Sequence, residues 1–188
     1  MFSEALSFLI DALVQPFAAV LLFRFHAVWL KAPMRNPIGE FIMALTDFVV
    51  LKARRYVPAM LGLDTATLAL AFAVEFIYLV LFLQVQSYPF DAFPLVGLLA
   101  WTAVKLLKIS VYLLVATLLA EAILSWVNPH TPLSPMLSAC NQPFLQPLRS
   151  VIPLIGRVDL SVLVLFIICQ LILIVPIGGM EQFVQRLL

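Results

Sequence analysis

Between Asp159 and Glu181 the chain carries no charged residue. Leu160 to Gly178 is therefore an apolar run of the length a membrane-spanning helix requires, roughly 20 residues. A second run, Thr65 to Leu83, is interrupted only by Glu75. The third, Leu95 to Val127, is too long for a minimal crossing and holds Lys105, Lys108 and Glu121; as one helix it would measure about 48 Å. It is expected to begin as an interfacial turn and then cross, with a break at Lys105 to Lys108 and a fifth span as the competing topology. The first run, Ala5 to Phe23, has no basic flank of the secretory type and carries Glu4, Asp11, Gln15 and Pro16, so it reads as a retained helix. The pattern predicts four spans, near 5–25, 65–84, 105–127 and 160–178.

Two half-apolar segments lie between the paired spans. In "IGEFIMALTDFVVLK", Ile38, Phe41, Ile42, Leu45, Phe48 and Val49 recur at helical spacing and predict one oily face. The segment is short for a crossing and is expected to lie in the membrane interface or to dip in and return. Its counterpart, "LSPMLSACNQPFLQPLR", places Leu133, Met136, Leu137 and Phe144 similarly, with Pro143 and Pro147 expected to interrupt it. Such faces serve membranes and partner helices alike.

Each segment ends in the same polar arrangement, "RRYVPAMLGLDTA" at 54–66 and "RSVIPLIGRVDLS" at 149–161. Proline disfavours helix in the residue before it, so the chain should turn after the arginine. Asp64 and Asp159 then stand directly before apolar runs, where a carboxylate can accept from free backbone N–H groups and complement the helix dipole; Thr65 and Ser161 support that polar edge. Arg54, Arg55 and Arg149 are expected to reach anionic headgroups. The whole predicts an all-α membrane protein of two tandem parallel repeats in a single membrane domain, 1–94 and 95–188. Each repeat is two spans joined by an amphipathic segment and an Arg-Pro-Asp turn.

Composition agrees: 64% of the 188 residues are hydrophobic and 11% charged, with a mean hydropathy of +1.11, against about 25% charged in soluble domains. The net charge of +1 supplies no field for nucleic acid. Arg24, Lys31, Arg35, Lys52, Arg54, Arg55, Arg149 and Arg157 make up eight of the eleven basic residues and fall in two connections. The connection from Gln84 to Pro94 has Asp91 and no Lys or Arg. Positive connections stay cytoplasmic, so both termini are expected outside.

Ionisable groups inside spans are functional candidates because hydrocarbon makes them costly. Helical rise places Asp11 about 20 Å, Glu75 about 17 Å, Glu121 about 9 Å and Lys108 about 29 Å from the cytoplasmic edge, with Lys105 near the far interface. This predicts Asp11 and Glu75 at one depth, Lys108 reaching toward Asp11, and Glu75 without a basic partner. Such groups would serve either an ion pathway or a packing network. The two cysteines, Cys140 and Cys169, and the isolated His26 and His130 have no metal-ligand spacing. No nucleophile triad or phosphate-cradling loop appears, so neither a cofactor nor catalysis is expected.

The residues resemble the YggT/YlmG family, whose members carry a duplicated P-x-x-x-P-[IL]-R-R-x-[IL]-P-x-x-G-x-[IL]-D-x-S signature. "PFLQPLRSVIPLIGRVDLS" matches it through Pro143, Pro147, Arg149, Pro153, Gly156, Asp159 and Ser161, with Ser150 in place of a second arginine. The first copy keeps Arg54, Arg55, Pro58 and Asp64, has Phe48 and Lys52 at the proline positions, and shifts its glycine to Gly62. "LSWV" at 124–127 is also typical. The resemblance implies a small bacterial or plastid multi-span protein without a known catalytic centre, which in a bacterium would sit in the inner membrane with both termini periplasmic. Relatives are associated with osmotic-stress tolerance, with division and envelope organisation, or with cofactor assembly on cytochrome complexes. The implied role is accessory or scaffold, with the lipid bilayer and a membrane or cytoplasmic protein as partners.

Overall fold

The computed structural model describes residues 2–60, 62–86, 94–152 and 159–186, and these are all-helical. The elements are α1 (Phe2–Trp29), α2 (Pro37–Ala53), α3 (Thr65–Val85), α4 (Leu95–Val127), α5 (Ser134–Arg149), α6 (Leu160–Ile172), a π turn (Leu173–Ile177) and α7 (Gly178–Gln185). Four helices are long and apolar enough to cross a membrane: Glu4–Trp29, Thr65–Val85, Leu95–Val127 and Leu160–Gln185, the last made of α6, the π turn and α7. Their outer faces carry large apolar side chains such as Leu13 and Ile174, each 70% exposed. That is the distribution expected where the surrounding solvent is lipid.

Three expectations change. The long apolar run is one unbroken helix, with neither an interfacial turn over its first ten residues nor a break at Lys105 to Lys108. Gly97, Leu98, Thr102 and Val104 are buried, so tertiary packing carries the helix through its start. The helix of α5 also continues through Pro143 and Pro147. Both prolines lie on its exposed face, off the buried stripe of Met136, Leu137, Cys140, Asn141 and Leu145 that holds the helix to the protein. The last span runs past Gly178. Pro176 has no N–H to donate, and the chain absorbs the fault as a π turn in which the Gly178 N–H bonds to the Leu173 carbonyl, five residues back.

Local chemistry sets the starts of α2 and α3. Asn36 Oδ1 accepts from the Gly39 N–H at 2.9 Å, and Pro37 sits in the first turn, where its missing donor costs nothing. A Cβ on Gly39 would lie 2.2 Å from the Met34 carbonyl oxygen, so only glycine allows that approach. Gly62, in the left-handed region at φ 77°, turns the chain ahead of Asp64, the N-cap of α3.

The core is built around α4. Leu21, Leu22 and Phe25 of α1, Val50 of α2, Ala71 of α3 and Leu106 of α4 form one buried cluster. Tyr78, Leu79, Leu83 and Leu98 join α3 to α4. Leu118, Leu145, Leu165 and Cys169 join α4, α5 and α6. A smaller cluster, Ala27, Ala32, Met136 and Cys140, ties the end of α1 to α5.

Candidate functional site

Two corners, two latches and one intraspan network hold the polar side chains. At the first corner Asp64 caps α3, accepting from the Thr67 N–H at 3.4 Å and the Thr67 hydroxyl at 2.6 Å. Arg54 closes over the carboxylate with Nη2 at 2.5 Å from Oδ2. Thr65 turns its hydroxyl to the Pro58 carbonyl at 2.6 Å. At the second, Asp159 accepts from the Ser161 N–H at 3.0 Å and from Arg149 Nε at 2.8 Å. Burial pushes both carboxyls up, but the hydrogen bonds from arginine and the capping residues outweigh it and hold both below the usual carboxylate range. Arg54 and Arg149 each pair with the capping aspartate ten residues on, while Arg55 stays exposed. Pro153 and Gly156 lie outside the described residues.

The latches were not legible from charge spacing. Arg24, read as marking the end of the first span, lies inside α1 and is 5% exposed. Its Nη1 donates to Thr46 Oγ1 at 2.6 Å and pairs with Asp47 Oδ1 at 2.7 Å, fixing α2 across α1. In the second half Asn141 of α5 accepts from the Thr117 hydroxyl at 2.7 Å and donates to Glu121 Oε2 at 2.6 Å, fixing α5 on α4. Thr46 and Asn141 stand 95 positions apart, as Arg54 and Arg149 do. A polar residue at the centre of each oily segment was the available signal.

The buried stripe of α2 is Gly39, Ile42, Thr46 and Val50 rather than the whole predicted face. Phe41 and Phe48 point outward, each 60% exposed. The helix is apolar on two sides, one met by the protein and one left open.

The intraspan charges are matched differently from the depth reading. Lys105 Nζ stands 3.4 Å from Glu75 Oε1 and 4.4 Å from the centre of the Tyr78 ring, so Glu75 does have a basic partner. Gln15 Nε2 donates to the same Glu75 oxygen at 3.3 Å. Asp11 accepts from the Tyr78 hydroxyl at 2.7 Å, not from Lys108. Lys108 reaches both oxygens of Glu181 at 2.8 Å, because the extended last span carries that carboxylate alongside α4. A helix side chain reaches a neighbour through rotation about the axis as well as depth, and depth alone misassigned both lysines. Among the described residues no group of three His, Cys, Asp or Glu is placed to hold a metal.

These contacts bind helix to helix, and each charge buried between spans meets a hydrogen-bonding or ionic partner. An all-helical chain with four helices of membrane-crossing length and matched intraspan charges falls in the class of multi-span helical proteins. Within that class it belongs to the CCB3/YggT family, whose model matches residues 3–85 and 100–180. It is 36% identical over 169 residues to a Vibrio alginolyticus protein described by its position in the proC 3' region, covering 87% of this chain and 89% of that one. It is 30% identical over 172 residues to YggT of Escherichia coli, with 90% and 87% covered. A Pseudomonas aeruginosa relative is 27% identical over the same length. No solved structure matches.

Proposed function

We propose that the protein is an accessory or scaffold protein of the bacterial inner membrane that holds α2 and α5 as two fixed docking faces on the cytoplasmic side, with both termini periplasmic. The observation that carries this reading is the pair of buried latches, Arg24 to Thr46 and Asp47, and Asn141 to Thr117 and Glu121. Each clamps an amphipathic helix onto a span and leaves its other face outward. The tandem arrangement is supported by corresponding buried positions: Ile42 and Leu137, Thr46 and Asn141, Val50 and Leu145 are all buried, each pair 95 apart. The family model also matches one stretch in each half. Cytoplasmic placement rests on the seven basic residues that lie in these connections, Lys31, Arg35, Lys52, Arg54, Arg55, Arg149 and Arg157. Assembly of a membrane complex, or an envelope or osmotic-stress role, is the setting such a device fits.

A photoreactive side chain at Phe41 and another at Gln146, both exposed, test this in cells. Phe144, the residue the sequence pattern nominates, packs inward and is unsuitable. A discrete protein adduct at either position is expected; adducts to lipid alone contradict the scaffold.

A second reading, an ion pathway through Asp11 and Glu75, is favoured by one observation. A cleft of about 390 Å³ lined by Glu4, Ser7, Asp11 and Gln86 leads toward the network, and among the described residues Glu75 Oε2 has no hydrogen-bond partner. Beyond Glu75 the way is filled by Leu21, Leu22, Ala71 and Leu106, which supports a packing role over conduction. Glu75→Gln in reconstituted vesicles separates them. The scaffold predicts intact folding and no protein-dependent flux in either form; a pH-dependent proton or cation flux lost in the variant would establish the pathway.

A further inference from the structure

The two halves do not close on each other symmetrically. The exit span of the first half, α3, packs on α4 through Leu79, Leu83 and Leu98 and through Glu75 to Lys105. The corresponding pair, α6 against α1, does not meet. Between them lies a groove of about 520 Å³, lined by Phe23, His26 and Trp29 of α1, Ile168 and Ile172 of α6, Cys140 of α5 and a run of α4 from Leu107 to Thr117. That volume lies within the range of small-molecule pockets, about 300–1,000 Å³.

We propose that this groove is a binding site for one acyl chain of a membrane phospholipid. Three observations select that occupant. The groove lies between helices of membrane-crossing length and is lined almost wholly by apolar side chains, so its surroundings in a bilayer are hydrocarbon. The side chains Phe23 and Trp29 on its α1 side and Ile168 and Ile172 on its α6 side are large and keep those backbones apart, and of the smaller lining residues Thr117, Cys140 and Cys169 are buried, whereas helix docking in membranes uses exposed small residues that let backbones approach. A second helix is therefore a poor occupant and a flexible chain a good one. The wall of α1 ends at Trp29 and Leu30, directly followed by the exposed cations Lys31 and Arg35, which complement a phosphate at the headgroup level. Trp29 sits at the boundary where its ring can face hydrocarbon and its N–H the headgroups. The bound chain takes the place of the missing contact between α1 and α6 and joins the two halves.

The protein is reconstituted in phosphatidylethanolamine and phosphatidylglycerol vesicles containing a phospholipid with a diazirine in mid-chain, then irradiated and mapped by mass spectrometry. Adducts concentrated on Phe23, Ile168 and Ile172, several-fold above those on the freely lipid-facing Leu13 and Ile174, are expected. Ile168→Trp fills the groove and should reduce the Phe23 adducts several-fold while leaving those at Leu13 unchanged, the latter serving as the folding control. Equal labelling of groove and outer faces, or Phe23 labelling indifferent to Ile168→Trp, would overturn the site. Native mass spectrometry of the wild-type protein gives a reading independent of any variant. One phospholipid retained per chain after mild detergent supports the site, and none retained contradicts it.

Discussion

Asp64 and Asp159 each do two things with one carboxylate: they satisfy backbone donors at a helix start and neutralise an arginine ten residues earlier. Because both titrate below the ordinary aspartate value of about 3.9, the native state binds fewer protons than the unfolded chain between the lowered and the ordinary values. The stability from these pairs is whole above that interval and drains as pH falls through it. Asp64→Asn keeps an oxygen for Thr67 but cannot titrate. Its unfolding midpoint in micelles should be lower than wild type at neutral pH, with the two curves converging at the acid end; parallel curves would contradict the pairing. Arg24 makes a second residue-scale case. Its side chain is buried, so Arg24→Ala leaves Thr46 without its donor and should cost about 1–3 kcal/mol. Arg55→Ala, at an exposed position, should leave the same denaturation curve nearly unmoved. The capping aspartates were legible because a cap is a local device readable from a carboxylate before an apolar run. Arg24, Thr46 and Asn141 were not, because their pairing depends on how two helices cross.

The helices differ in what makes them. Those over 65–85 and 160–172 follow from long apolar runs, the first interrupted only by Glu75. By contrast α5 survives two internal prolines and α4 begins ten residues before its predicted crossing, in both cases because buried faces outweigh local preference. For α2 the decisive position is Gly39. Gly39→Ala places a methyl against the Met34 backbone, which cannot yield without moving the cap, and should cost about 1–3 kcal/mol. Gly179→Ala, with open space around it in α7, should be neutral or slightly stabilising. Equal effects in thermal denaturation would show the close approach at Gly39 to be absent. The π turn is testable too. Pro176→Ala permits a regular helix, and removing the extra residue of the turn rotates α7 by about 100°. That rotation carries Glu181 away from Lys108. A short bifunctional crosslinker between cysteines placed at 108 and 181 should therefore couple them with Pro176 present and much less in the variant.

At the scale of the molecule, α4 is the strut against which both halves are built, and the halves use it unequally. The spans of the first are sealed against α4 by a shared cluster and the ion pair of Glu75 to Lys105, whereas the last span's α6 stays apart from α1. A duplicated sequence pattern predicts equal halves and has no means of showing which of two equivalent contacts is missing, because that is decided by side-chain size at the junction. The central claim is that α2 and α5, with their basic corners, share one aqueous face while the end of α3 reaches the other. In a background with Cys140 and Cys169 replaced by alanine, single cysteines at Arg55, Ser150 and Gln86 can be labelled in intact cells and inverted vesicles with a membrane-impermeant maleimide. Positions 55 and 150 should label only from the cytoplasmic side and position 86 only from the periplasmic side. Finding 55 and 150 on opposite faces, or 86 on the same face as both, would contradict the four-span arrangement and the docking surface built on it.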